Sequence, residues 1–228
     1  MRTSLISASL LALAIAAPLA QAHQAGDIIV RAGAITVDPH ESSSDIWVGA
    51  LGTDVAGSKA TLDSDTQLGL NFAYMLTNNL GIELLAATPF SHDVGVAGMP
   101  GALAGLNGNL GELKHLPPTV SLLYYPLDGS SAFQPYVGAG INYTWFFDTK
   151  LSSEAESKGF SGLDMKDSWG LAAQVGMDYM LTDNIMLNAQ VRYIDIDTTG
   201  TTRILGDKVK VDVDVDPFIY MVGLGYKF

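Results

Sequence analysis

The chain reads as an all-β protein, an eight-stranded antiparallel transmembrane β-barrel with short periplasmic turns and long extracellular loops. Three observations predict it. Segments in which apolar residues alternate with polar residues or glycine recur along the chain, and each is long enough for the roughly 9–11 tilted residues that cross a bilayer as a strand. The connections between them are tight and long in turn. The final stretch, 209–228, alternates almost without a break and stops on an aromatic, Phe228, whereas soluble strands typically run only about 5–6 residues.

Ahead of the first strand, Arg2, an apolar run over 5–17 and Ala20-Gln21-Ala22 have the layout of a secretory signal peptide with an A-x-A cleavage site. Residues 1–22 are expected to be removed, leaving one domain over 23–228 that begins at His23. The apolar run falls short of the roughly 20 residues of a membrane helix, and no longer one follows it. Any spanning must therefore be done by strands. Of the 12 Lys and Arg one lies in the leader, and none of the 24 acids does, so the mature chain carries 11 against 24, a net charge of −13. That balance excludes nucleic acid as a partner and electrostatic docking on an anionic bilayer. The chain has no Cys, which removes disulfides, thiolate metal sites and thiol nucleophiles.

The eight segments fall at 26–38, 60–76, 80–96, 116–127, 133–149, 167–181, 184–200 and 207–228. The second sets Leu68, Leu70, Phe72 and Tyr74 against Asp63, Asp65, Gln67, Gly69 and Asn71. The sixth sets Trp169, Leu171, Val175 and Met177 against Ser168, Gly170, Gln174 and Asp178. In the eighth, Phe218, Tyr220, Val222, Leu224 and Tyr226 share one face, with Ile219, Met221, Gly223, Gly225 and Lys227 on the other. The apolar faces should meet lipid and the glycine- and polar-rich faces the lumen. Thr77-Asn78-Asn79, Asp128-Gly129-Ser130-Ser131 and Thr182-Asp183 have tight-turn chemistry, while 40–57, 97–113, 150–166 and 199–206 are long loops. A lumen of this size has room for side chains or one small solute, which excludes a wide porin.

Eight stretches follow in order along nearly the whole mature chain: Ala25-Gly26-Asp27, Asp65-Thr66-Gln67-Leu68-Gly69-Leu70, 83–90 ending in Ala87-Thr88-Pro89-Phe90, Leu116-Pro117-Pro118-Thr119, 134–144, Asp167-Ser168-Trp169-Gly170, Tyr193-Ile194-Asp195-Ile196-Asp197 and Gly225-Tyr226-Lys227-Phe228. Together they resemble the OmpW family of outer-membrane proteins, with its OprG branch nearest. The resemblance implies an eight-stranded barrel in the outer membrane of a Gram-negative bacterium. It also implies an apolar interior that passes small hydrophobic molecules passively and sideways into the membrane through a gap in the wall.

Candidate transport residues follow. Pro89, between Thr88 and Phe90, lacks the N–H of a ladder bond and marks either a lateral opening or simply a bend or end of the strand. If the parity of Phe228 persists, Val209, Val211, Val213 and Val215 line an apolar vestibule and Asp212, Asp214 and Asp216 face outward; a bulge near Pro217 would reverse this. The outward acids form a solvated face, or bridge divalent ions to lipopolysaccharide. Inward parity places Asp27, Arg31, Glu83, Asp178 and Arg192 near the tight turns, where opposite charges should pair as a polar plug or as plain filling. Leu85 matches a lumenal leucine of the family, but Arg192 stands where many members have Trp. Its pairing with Glu83 would make the neck polar, which keeps a narrow axial channel for small polar solutes as an alternative. A structural or surface-interaction barrel without transport is another.

Trp145, Phe146, Phe147, Trp169, Tyr193 and Tyr226 fit interfacial belts. The four histidines, His23, His40, His92 and His115, have neither catalytic-triad partners nor metal-ligand spacing, so no enzyme activity, cofactor or metal is expected. His92 and His115 flank one long loop, and the fold can bring them together as a metal- or pH-sensing pair, although loop histidines usually have no such role. The expected partners are outer-membrane lipid and lipopolysaccharide, small hydrophobic solutes, and the barrel-assembly machinery reading Phe228. The expected state is a monomer.

Overall fold

The structure is a computed structural model that describes residues 22–228; apart from Ala22, the expected signal peptide lies outside the described residues. Its strands run in chain order as β1 (Ile28–Asp38), β2 (Ser42–Ser43), β3 (Ile46–Val48), β4 (Thr53–Val55), β5 (Lys59–Leu62), β6 (Asp65–Met75), β7 (Leu80–Ala87), β8 (Phe90–Ala97) and β9 (Gly108–Leu116). They continue with β10 (Thr119–Tyr124), β11 (Phe133–Leu151), β12 (Phe160–Met165), β13 (Ser168–Met180), β14 (Ile185–Ile194), β15 (Asp197–Ile204), β16 (Asp207–Asp214) and β17 (Phe218–Lys227). Eight of them close a ring in the order β1, β6, β7, β10, β11, β13, β14, β17, all pairs antiparallel. Closure gives every strand of the ring a neighbour on both sides, which is what a wall of strands in hydrocarbon requires.

The alternation sorts the two faces. Leu171 is 67% and Val222 64% exposed, while Asn71, Arg31 and Asp178 on inward positions are fully buried. Gly33 lies opposite Gly223 on one side and Gly69 on the other. A Cβ at Gly33 would fall 2.2 Å from the Val222 carbonyl oxygen, so the close approach of β1 and β17 requires glycine there.

Five expected segments are interrupted. The break between β7 and β8 falls at Thr88-Pro89, Pro117-Pro118 holds the fourth segment to β10, and Pro217 separates β16 from β17; a proline supplies no ladder donor. Asp63-Ser64 and Asp195-Ile196 divide the other two. The long loops are also more ordered than polar loops should be. β9, β8 and β5 extend outward from the upper part of β11, and β12, β15, β16, β3 and β4 form a second sheet with β2 on β16. Across the break at Pro217, where Asp216 takes φ +40°, parity is kept: Val209, Val213 and Val215 are buried and Asp212 and Asp214 exposed.

Inside, the lumen is layered. At the turn end Met75, Tyr125, Tyr136, Met180 and Met186 form an apolar floor. Above it on the same strands stand the charged residues, and above those Ile35, Leu85, Phe90, Ile194, Ile219 and Met221 close an apolar layer. Ile46, Val48, Val55, Met99 and Val209 pack at the loop end. One belt expectation is corrected: Phe146 turns inward against the apolar layer and stacks on His115 at 5.7 Å, because its neighbours Trp145 and Phe147 occupy the outward parity of β11.

Candidate functional site: a sealed lumen beneath a gap in the wall

The charged layer is a connected network. Arg31 donates from Nε and Nη2 to the two Asp178 oxygens at 2.9 and 2.5 Å, and from Nη1 to Glu83 Oε2 at 3.1 Å. The other Glu83 oxygen accepts from Arg192 Nη2 at 2.7 Å and from Gln174 Nε2 at 3.1 Å. Gln174 also accepts from Arg192, Asn188 donates to Asp178 at 2.9 Å, and Tyr125 accepts from Arg31 at 2.8 Å. Two arginines thus face two carboxylates with all four side chains at most 2% exposed. Neutral pairing with hydrogen bonds is what makes buried charge tolerable. Gly176 leaves room below, since a Cβ there would lie 2.4 Å from the Tyr136 ring. His23 folds under the network, its Nε2 3.0 Å from Asp178. Asp27 stands apart at the rim, 3.8 Å from the Lys227 ammonium, because it lies just ahead of β1, four residues before Arg31 and so below the network.

Above the network the wall parts. β7 pairs with β10 only as far as Leu85 opposite Thr119, so Ala86 and Ala87 have no partner on that side. β10 pairs with β11 up to Asn142, and β9 takes over from Trp145. Pro117 and Pro118 fill the interval. The Thr88 N–H still bonds the Leu68 carbonyl at 3.0 Å; by strand alternation the next amide would face away from β6, towards the gap, and that residue is Pro89. A cavity of about 210 Å³ opens here, lined by Leu85, Ala86, Ala87, Leu116, Pro117, Pro118, Tyr143 and Trp145. Leu85 borders both the cavity and the apolar layer and so stands between gap and lumen. One lip is clamped from inside: Asn142 Nδ2 donates to the Pro118 carbonyl at 3.2 Å and to Thr119 Oγ1 at 3.0 Å, and Asn142 Oδ1 accepts from the Thr144 hydroxyl at 2.7 Å.

Towards the loop end, Val209, Val211 and Val213 line a narrow apolar cavity of about 50 Å³ together with Ile46, Leu62 and Val94. Val215 packs in the apolar layer beneath it. Between this cavity and the gap, His92 on β8 and His115 on β9 meet, both buried, with Nε2 atoms 3.0 Å apart. Burial, with His92 facing it, pushes the His115 imidazole down to about 3. β9 is outside the ring of eight. At the other end Phe228 is 69% exposed beside Tyr226, its N–H bonded to the Ile28 carbonyl at 2.9 Å.

The structure therefore brings Arg31, Glu83, Asp178 and Arg192 together and leaves out Asp27. It sets Thr88 and Pro89 on the exposed rim of the gap and turns Phe90 into the lumen. Sequence reasoning missed Gln174, Asn188, Tyr125 and His23 in the network. It also missed the Asn142 clamp, although inward parity marked Gln174 as lumenal.

The model of the OmpW family matches residues 24–228. The chain is 46% identical to outer membrane protein W of Vibrio cholerae over 228 residues, 100% of each chain. It is similar to the crystal structure of the outer membrane protein OprG from Pseudomonas aeruginosa, with 52% identity, a TM-score of 0.85, and 91% of this chain and 98% of that one covered. It is also similar to the solid-state NMR structure of outer membrane protein AlkL in DMPC lipid bilayers, at 27% identity and a TM-score of 0.65, covering 90% of this chain and 92% of that one.

Proposed function

From the chain's membership in the OmpW family, in the outer membrane of Gram-negative bacteria, we propose that it is a passive channel for small, mainly hydrophobic molecules. A solute enters the valine-lined vestibule at the loop end, parts the apolar layer at Leu85 and Phe90, and leaves sideways at Thr88-Pro89 into the surrounding lipid. The observation that carries this reading is the coincidence of an apolar cavity with the unpaired stretch of wall at Ala86-Ala87 and Pro117-Pro118. The charged network acts as the plug: with its four charges paired and buried, an apolar solute would have to displace it at high cost to reach the periplasm. Asp27 takes part only through the rim pair with Lys227. Phe228 serves as the handle for the barrel-assembly machinery, the outward acids Asp212 and Asp214 face lipopolysaccharide, and the barrel works as a monomer without an energy source.

The test is uptake into proteoliposomes of one apolar and one small polar solute, by wild type and by Pro89→Ala, which restores the missing donor. Apolar flux that falls severalfold in the variant supports the lateral path. Polar flux indifferent to position 89 would replace it with an axial channel, and no flux of either kind would leave a structural barrel.

A further inference from the structure

The histidine pair is built more carefully than two chance side chains on neighbouring strands. The His92 Nδ1 stands 2.6 Å from the Asp63 carbonyl oxygen, and a carbonyl only accepts, so Nδ1 carries the proton and the lone pair sits on Nε2. That lone pair accepts from His115 Nε2–H at 3.0 Å, so a metal ion would take the place of the proton the two rings share. Asp63 is itself held in place: its Oδ1 accepts from the Asp93 N–H at 2.7 Å and lies 3.7 Å from His92 Nδ1. A carbonyl and a carboxylate behind Nδ1, with Nε2 turned to the second imidazole, is the outer-shell arrangement that orients metal-ligating imidazoles. On His115 the Nδ1 is buried without a hydrogen-bond partner. Phe90 and Phe146 hold that ring from either side, with centroids at 5.4 and 5.7 Å. Both rings are thereby fixed before any ligand arrives, so little order remains to be imposed on binding.

We propose that His92 and His115 form a divalent transition-metal site within the outer half of the lumen. With metal–imidazole bonds of about 2.0–2.1 Å, a 3.0 Å separation subtends roughly 90° at the ion, smaller than the tetrahedral angle that zinc prefers. Adjacent positions of a tetragonal complex fit instead, which selects Cu(II) or Ni(II), with water in the remaining positions. The ring centroids, 4.8 Å apart with planes inclined by 42°, are closer than an end-on alignment of the two rings allows, so the imidazoles meet at an angle, as two ligands in adjacent positions do. Asp63 supplies the nearby negative charge that a dication in an apolar lumen requires. The ion would stand between the vestibule and the lateral gap.

The test titrates the full folded barrel in detergent, at neutral pH, with Cu(II) alone, followed by electron paramagnetic resonance and calorimetry. A His23→Ala/His40→Ala background removes the other two imidazoles. The expected result is one ion per barrel in that background, with hyperfine structure from two nitrogens. His92→Gln and His115→Gln should each weaken binding at least tenfold and remove the two-nitrogen signature, with the barrel's heat-modifiable gel mobility confirming the fold. Binding that vanishes in the background, or that survives both Gln variants with its spectrum unchanged, would overturn the site; so would a wild-type barrel that binds no Cu(II).

Discussion

The two halves of the lumen are made from the same alternating strands and differ in both lining and wall. In the turn half every strand is paired on both sides, and the interior holds Arg31, Glu83, Asp178 and Arg192 in a neutral network. In the loop half the interior is apolar and the wall is cut by Pro89, Pro117 and Pro118. Buried charge needs partners held in place, which an unbroken wall provides. An apolar interior needs none, so its wall can open without leaving a charge unpaired. Where the barrel is open it is therefore apolar, and the chemistry of the opening follows from that of its surroundings.

Changes that unpair the closed half should cost most. Glu83→Ala strands donors of Arg31, Arg192 and Gln174 together, and loss of one member of a buried ion pair typically costs about 3–5 kcal/mol. Urea unfolding in lipid vesicles should register that loss, and ion conductance across planar bilayers should rise. A smaller effect is expected at the lip of the open half. Asn142→Ala leaves the Pro118 carbonyl and two buried hydroxyls short of partners, at about 1–3 kcal/mol, and should speed hydrogen exchange of the Tyr143 N–H, which bonds the Pro118 carbonyl at 3.1 Å.

The boundary between the halves should be sensitive to acid. His115 titrates near 3 when folded and near 6.5 when unfolded, so between those values the unfolded chain binds the extra proton. Its contribution is complete above about pH 6.5 and is lost as pH falls towards 3. In metal-free buffer, wild type should lose about 2 kcal/mol more than His115→Gln between pH 8 and pH 5. Pro89→Ala should have the smallest energetic effect and the largest functional one: at most about 0.5–1.5 kcal/mol gained from one new hydrogen bond, readable in the same unfolding assay, while apolar flux falls severalfold.

How much of this was legible in the sequence differs between the halves too. Strict two-residue alternation fixed the lipid and lumen faces of β6, β13 and β17, and Thr77-Asn78-Asn79 marked a real turn, because local chemistry decides both. Parity also carried the valines inward across Pro217. The loop half was harder. In the expected strand 80–96 the inward face switches across Thr88-Pro89 from odd residues, Glu83 and Leu85, to even ones, Phe90 and His92, as its partner changes from β10 to β9, and pairing partners leave no periodic trace. The strands of the outer extension lie in stretches whose glycines and charges resemble loops, and their order comes from packing around Ile46, Val48 and Met99. Phe146 was misplaced because three consecutive aromatics hide which one faces inward. Asp27 had the right parity for the network but lies ahead of the first residue of β1, and parity does not say where a strand begins.

The account rests on the path a solute takes, and NMR of the isotopically labelled barrel in lipid nanodiscs, titrated with a small apolar solute, observes that path directly. Resonances of Val211, Leu85, Leu116 and Tyr143 should shift together and saturably, while those of Arg31, Asp178 and Glu83 stay in place. Shifts that run through the charged network, or that leave Leu116 and Tyr143 untouched, would contradict a sideways exit.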